Sequence, residues 1–286
     1  MTKRKKLRQR KALQQRLRQQ KPLQLPLKKR QLSLRNKEMQ AIILAAGLGT
    51  RLKPLTDNIP KALVRCAGKP LIDHAIDYLV RQGIDYILVN VHHHGDVLKE
   101  YIEGKQYPVP VEISDETAEL KDTGGALVHA LPLMKEERSI LIFNTDILTD
   151  LSLASMYQDH NHSDHRATLI VQNRDSSRKL AFSEDNLLTG WMNCKTGESI
   201  GTVNEDSRMW AFSGIHLIDL ELIRHFQKNN SNRPFPIIPA YLEASQHLQI
   251  GSYTTPEGTV WLETGSPERL KDVELLLQQK GKNRIL

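Results

Sequence analysis

Three runs of almost unbroken apolar residues, QAIILAAG (40–47), DYILVNV (85–91) and SILIFNTD (139–146), constrain the fold of this chain most. A strand with one wet face alternates apolar and polar residues, whereas a run without alternation is buried on both faces, as in a parallel sheet covered by helices. Helical spacing fills the intervals. In PLIDHAIDYLVRQG (70–83), Leu71, Ile72, Ala75, Ile76, Leu79 and Val80 recur at the helical period, and Gly83 stands where a C-cap belongs. GDVLKEYIEG (95–104) and GGALVHALPLM (124–134) predict further helices, as does the stretch at about 151–160; VEISDE (111–116) and RATLIVQN (166–173) predict strands. The alternation predicts an α/β fold: a single doubly wound, mostly parallel mixed sheet flanked by helices. Shorter, turn-rich strands follow over 174–216, and PERLKDVELLLQQKG predicts a closing helix.

Charge divides the chain differently from fold. The net charge is +7, but residues 1–38 hold 15 Lys or Arg against the single acid Glu38, a local +14, which leaves 25 bases against 32 acids and −7 for the remainder. The expectation is a basic, disordered tail at 1–38, with Met39 as a possible start, and one catalytic domain at 39–286. Such a tail could attract RNA or an anionic membrane surface, but the acidic remainder argues against nucleic-acid binding by the core. Cys66 and Cys194 form no CxxC pair, so a reducing, cytoplasmic setting is expected. No apolar run approaches the roughly 20 residues of a membrane span, and no apolar signal segment opens the chain.

In an open α/β sheet, ligands bind beyond the carboxyl ends of the strands. The first apolar run leads into Gly47-Leu-Gly-Thr-Arg51, and another leads into Asn144-Thr-Asp146. If both strands are parallel, a glycine turn and an acid share one edge. A P-loop and a dinucleotide fingerprint both fail at Leu52. Gly47 and Gly49 can still turn backbone N–H groups toward an anion, while Arg51 offers a planar fork and Lys61 a point charge for phosphate oxygens.

The stretch AAGLGTRLKPLTDNIPKALVRCAGKPLIDHAIDYL resembles the signature G-x-G-T-R-[LM]-x-P-x-T-x-x-x-P-K-x-[LM]-[LV]…G-K-P of the sugar-1-phosphate nucleotidyltransferases. The resemblance continues through LKDTGGALVHAL, FNTDIL, AFSGIHLI and VWLETGSPERL, so that it covers about 45–275 and is nearest to the short N-acetylmuramate 1-phosphate uridylyltransferase and mannose-1-phosphate guanylyltransferase types. It implies a nucleotide-diphospho-sugar transferase-like fold and transfer of a nucleoside monophosphate from an NTP, with UTP or GTP favoured, to a sugar 1-phosphate, with Mg²⁺ as cofactor. It also implies a set of sites. Nucleotide contacts fall to Ala45, Ala46, Gly47, Gly49, Thr50 and Arg51, and base contacts to Thr123, Gly124 and Gly125. Catalytic charge falls to Arg51 and Lys61, and the metal to Asp146 and Glu263. Sugar contacts fall to Ser213 and Gly214; the Glu-Lys pair that many relatives carry after the central strands is missing, and SRKLAFSEDNLLTGWMN stands there instead, which offers Arg178 and Phe182 as weaker candidates. Two positions depart from the pattern: Thr145 replaces the usual glycine before the metal acid, and Glu263 replaces an aspartate. These departures motivate the alternative of a non-catalytic nucleotide-binding homologue. With only a short remainder after the motifs, the β-helix acyltransferase domain of some relatives is not expected here.

The reaction needs no protein nucleophile, and no Ser-His-Asp or Cys-His arrangement is visible. His92-His93-His94 follows a strand, where neighbouring side chains diverge, so no metal is expected there. His160, His162 and His165 read as a solvated loop.

Overall fold

The computed structural model describes residues 39–136, 139–230 and 233–280. The basic stretch 1–38 lies outside them. In chain order the elements are β1 (Gln40–Leu44), a hairpin of β2 (Arg65–Cys66) and β3 (Lys69–Pro70), α1 (Leu71–Arg81), β4 (Tyr86–Val91), α2 (Gly95–Glu103), β5 (Val111–Asp115), α3 (Asp122–Ala130), β6 (Ile140–Asn144), β7 (Ile147–Thr149), α4 (Ala154–Asn161) and β8 (Ala167–Gln172). There follow β9 (Arg178–Phe182), β10 (Leu188–Asn193), β11 (Ser199–Gly201), the long β12 (Arg208–Ile218), α5 (Leu220–Asn230), α6 (Ile237–Ala244), β13 (Ile250–Thr254), β14 (Trp261–Glu263) and α7 (Pro267–Lys280).

The sheet is mixed, in the order β11-β10-β9-β12-β6-β1-β4-β5, with β8 and β13 branching from β12. Its parallel part is formed by the apolar runs: β1 pairs with β4 and β6, and β4 with β5, all parallel. Successive side chains of β1 serve opposite faces. Ile42 packs with Leu88 and Ile142 in one core, while Ala41 and Ile43 pack with Val89 and Phe143 in the other. Ile42 and Ile43 are fully buried, so truncating either to Ala is expected to cost about 2–5 kcal/mol. The absence of alternation in the sequence thus reports two helical layers, one on each side of β1.

Helix α1 ends as its pattern predicts, with Gly83 at φ +87° and the Ile84 N–H returning to the Leu79 carbonyl at 3.0 Å. Helix α3 is shorter at its carboxyl end than expected. Pro132 disfavours helical backbone before it, and a 3₁₀ turn at Leu131–Leu133 finishes the segment. His160 is no loop residue: it is buried in α4 and makes hydrogen bonds with Thr168 and Asp219 at 2.9 and 3.2 Å. Cys66 is buried, Cys194 is exposed, and both are free thiols. No helix among the described residues is long and apolar enough to cross a membrane.

The register positions the chemistry. Leu44, the last residue of β1, lies opposite Asn90 of β4 on one side and Asn144 of β6 on the other. Both chains leave the sheet there in the same direction, so the glycine turn and Asp146 share one edge.

Candidate active site

A cavity of about 750 Å³ opens at this edge. Its floor is a relay of buried polar groups. Asn90 Oδ1 accepts the N–H groups of Ala45 and Ala46 at 2.6 and 3.2 Å, and Asn90 Nδ2 donates to Glu116 Oε1 at 2.9 Å. The other Glu116 oxygen accepts the Lys121 N–H at 3.1 Å. Burial pushes the Glu116 carboxyl above its usual range, against the opposing effect of these hydrogen bonds. The relay ties the ends of three segments together. Ala45 and Ala46 therefore use their N–H groups inside the protein; Ala46 still lines the cavity wall, and Gly47 is the first exposed residue of the loop there.

Gly49 has φ +66°, and a Cβ there would stand 2.9 Å from Thr56 Cγ2. Its carbonyl accepts both the Leu52 N–H and Thr56 Oγ1 at 2.9 Å, which closes the turn. Gly49 and Thr50 shape the loop without lining the cavity. Buried Leu52 anchors the turn and leaves Arg51 reaching outward to Glu263 at 3.4 Å.

Lys61 pairs with Asp146, and both side chains are largely buried, at 18% and 10% exposure. Glu263 pairs with Arg51 and also with Arg269 of α7. The two acids are joined through the backbone: Thr264 N–H donates to the Asp146 carbonyl at 2.9 Å, and β14 pairs antiparallel with β7. Gly265 marks the focus. A Cβ on it would lie 2.8 Å from Glu263 Oε1, 3.0 Å from Arg51 Nη2 and 3.1 Å from Asp146 Oδ2. Two carboxylates and a guanidinium thus converge on one point. Among the described residues no group of three or more His, Cys, Asp or Glu side chains could hold a metal. A site with two carboxylates suits a hard cation such as Mg²⁺, which keeps waters and takes further oxygens from a substrate phosphate. The residues present fit that ion. Thr145 does not crowd it, because its buried hydroxyl donates to the Leu44 carbonyl at 2.5 Å, on the β1 side.

On the other flank of β6, a β-bulge in β12 presents Ser213 and Gly214 to the cavity. Gly214 has φ +76°, and a Cβ would strike Asn144 Nδ2 at 2.5 Å, so only glycine fits. The other expected contact residues divide. Thr123 lines the cavity, but Gly124 and Gly125 do not: their N–H groups donate to the Phe235 carbonyl at 2.9 and 3.2 Å, and a Cβ on Gly124 would meet the Phe235 ring at 2.3 Å. Their lack of side chains serves close packing of α3 against the segment before α6. Arg178 begins β9 as an exposed residue and does not line the cavity, and Phe182 is fully buried in the core. Sequence reading passed over Asn90, Glu116, Arg174, Trp261 and Gly265. Asn90 did leave a signal, as the one polar residue within an apolar strand.

The family model "Nucleotidyl transferase" matches residues 40–182, which contain the glycine loop, Lys61 and Asp146. The chain belongs to the nucleotidyl transferase family. Among curated nucleotidyl transferases, the N-acetylmuramate alpha-1-phosphate uridylyltransferase of Caulobacter vibrioides is 46% identical over 99 residues, which are 34% of this chain and 41% of that protein. The chain thus aligns with less than half the length of this relative. The enzyme of the same name from Neisseria meningitidis is 28% identical over 239 residues, 83% of this chain and 98% of that one. The fold agrees with the inositol-1-phosphate CTP transferase structure from T. maritima, with a TM-score of 0.67, 16% identity, and coverage of 85% and 97% of the two chains.

Proposed function

We propose that this chain transfers a nucleoside monophosphate from an NTP, with UTP or GTP favoured, to a sugar 1-phosphate. A phosphate oxygen of the acceptor forms a bond to the α-phosphorus as the bond to the β-phosphate oxygen breaks, and pyrophosphate leaves with that electron pair. The observation that carries this reading is the convergence of Lys61, Asp146, Glu263 and Arg51 beside the glycine turn. A phosphate nucleophile is already anionic, so the protein's task is to align it and disperse charge rather than to remove a proton. Gly47 admits the polyphosphate to the loop. Arg51 faces its leaving end, and Lys61 faces the α-phosphate. Thr123 and the Asn90–Glu116 relay shape the pocket for the base. Asp146 and Glu263 would hold Mg²⁺, which neutralises phosphate charge when bound. With the carboxylates so engaged, Lys61 and Arg51 would be left to the phosphates. The catalytic domain is assigned to 39–286.

The test is a matrix of four NTPs against sugar 1-phosphates with Mg²⁺ present, read by pyrophosphate release. Turnover for at least one UTP or GTP pair is expected. Failure of every pair would overturn the enzymatic reading and favour a nucleotide-binding homologue without catalysis. Chelation by EDTA should abolish turnover, and activity that survives it would remove the metal from the proposal.

A further inference from the structure

The cavity has two flanks. The β1–β4 flank carries Gly47, Asn90 and Glu116, and the β12 flank carries Phe212, Ser213, Gly214 and Trp261; Asp146 and Glu263 stand between them. Arg174, two residues beyond β8, lines the β12 flank. Its guanidinium lies 4.3 Å over the Trp261 ring, and Trp261 Nε1 is itself held by the Ser213 carbonyl at 3.0 Å. One terminal nitrogen donates to the Phe212 carbonyl at 3.1 Å. The Nε–H is buried and has no partner among the described residues. A buried donor without an acceptor forfeits its hydration, and the loss is larger on a charged group. Burial pushes the guanidinium below its usual pKa while Glu263 pulls the other way, so this cation is held at a disadvantage that an added anion would relieve.

We infer that Arg174 binds the phosphate of the acceptor, the second anionic substrate of the proposed reaction, and positions it for attack. Trp261 and the carbonyls of Phe212 and Asp175, the latter 3.4 Å from the second terminal nitrogen, fix the guanidinium plane at the cavity wall, and the terminal N–H groups not spent on them supply the donors. The nucleotide is assigned to the glycine-loop flank, so the anion at Arg174 is the other reactant. Trp261, on which the guanidinium lies, and Glu263 belong to the same short strand β14 and line the same cavity as Arg174, which puts that anion beside the reacting centre rather than at a distant sugar substituent. Arginine suits the position because its planar fork stacks through one face while its edges donate, which lysine cannot reproduce.

The experiment compares Arg174→Gln and Arg174→Lys with the wild-type chain, measuring KM for acceptor and for NTP separately, with a thermal melt of each. Arg174→Gln should raise the acceptor KM about 10- to 100-fold, the range for one lost charge-assisted hydrogen bond, with the NTP KM within about twofold. Arg174→Lys should fall between, since it keeps the charge and loses the stacked fork. An unchanged acceptor KM overturns the assignment. So does an equal rise of both KM values with a lowered melt, which would make Arg174 a prop for Trp261. Absence of turnover in the wild-type chain with every substrate pair is a different failure: it removes the reaction itself, and the assignment falls with it.

Discussion

Gly265→Ala isolates the point on which the two acids converge. The new Cβ would stand 2.8 Å from Glu263 Oε1, 3.0 Å from Arg51 Nη2 and 3.1 Å from Asp146 Oδ2, all nearer than ordinary van der Waals contact. Each of these atoms ends a side chain, so all three can move aside by several tenths of an ångström without disturbing the backbone. Gly265 does not have a positive φ, so alanine is not strained there and even gains about 0.4–1 kcal/mol by restricting the unfolded chain. Crowding and this gain oppose each other, and the melting temperature should stay within about 4 °C, the equivalent of roughly 1 kcal/mol for a domain of this size. Catalysis has no such compensation. The methyl occupies the space between Asp146 and Glu263, and misplacement on the scale of 1 Å costs about 10²-fold. We expect kcat/KM for pyrophosphate release to fall about 10- to 100-fold, or roughly 1.4–2.7 kcal/mol of transition-state stabilisation. Full activity with an unchanged melt would show that the reacting atoms do not meet there. A melt lowered by more than about 8 °C would show instead that Gly265 is needed for packing.

Lys61→Ala should lower turnover by about 10²-fold or more, as for loss of one transition-state charge stabiliser, and should also lower the melt because Asp146 is left buried without its partner; near-normal turnover would remove Lys61 from the mechanism. Glu263→Asp should be tolerated and Glu263→Gln inactive, since the amide loses the charge that would hold the metal; full activity in the amide would make this acid a partner for Arg51 and Arg269 only. His216 is fully buried against Tyr241, with Nδ1 and the hydroxyl 2.7 Å apart, and burial drives its pKa down to about 3 from an ordinary 6.5. The unfolded chain therefore takes up a proton below pH 6.5 that the folded chain refuses until near 3, so stability is complete above 6.5 and falls as the pH drops. Urea unfolding at pH 7, 6 and 5 should show a smaller fall in His216→Gln than in the wild-type chain, and equal slopes would contradict the assignment.

The parallel strands were legible because a doubly buried strand cannot alternate, and β1, β4 and β6 lack alternation. The shared edge followed from that, and the structure does bring Gly47, Arg51, Lys61, Asp146 and Glu263 to one place. What stayed hidden depends on partners distant in sequence. Gly124 and Gly125 give the same local signal whether they admit a flat base or a neighbouring segment, and only Phe235, more than a hundred residues later, decides for packing. Arg174 and Arg178 look alike in NRDSSRK; the contact of Arg174 with Trp261 separates them, and nothing local encodes it. Asn90 and Glu116 were visible only as polar residues in an apolar setting, because a relay is a property of pairs.

The Thr264 clamp on the Asp146 carbonyl joins segments 118 residues apart. A growing chain that has released β1 through β8 already owns the glycine turn, Lys61 and Asp146, yet lacks Glu263, Arg269, Trp261 and the strand that seats them. Such a fragment could present phosphate-binding groups but could not assemble the focus at Gly265. The late arrival of β14 therefore means that the focus at Gly265 is complete only when the far end of the domain has folded against its start; under the proposed reaction, a chain cut before β14 should release no pyrophosphate.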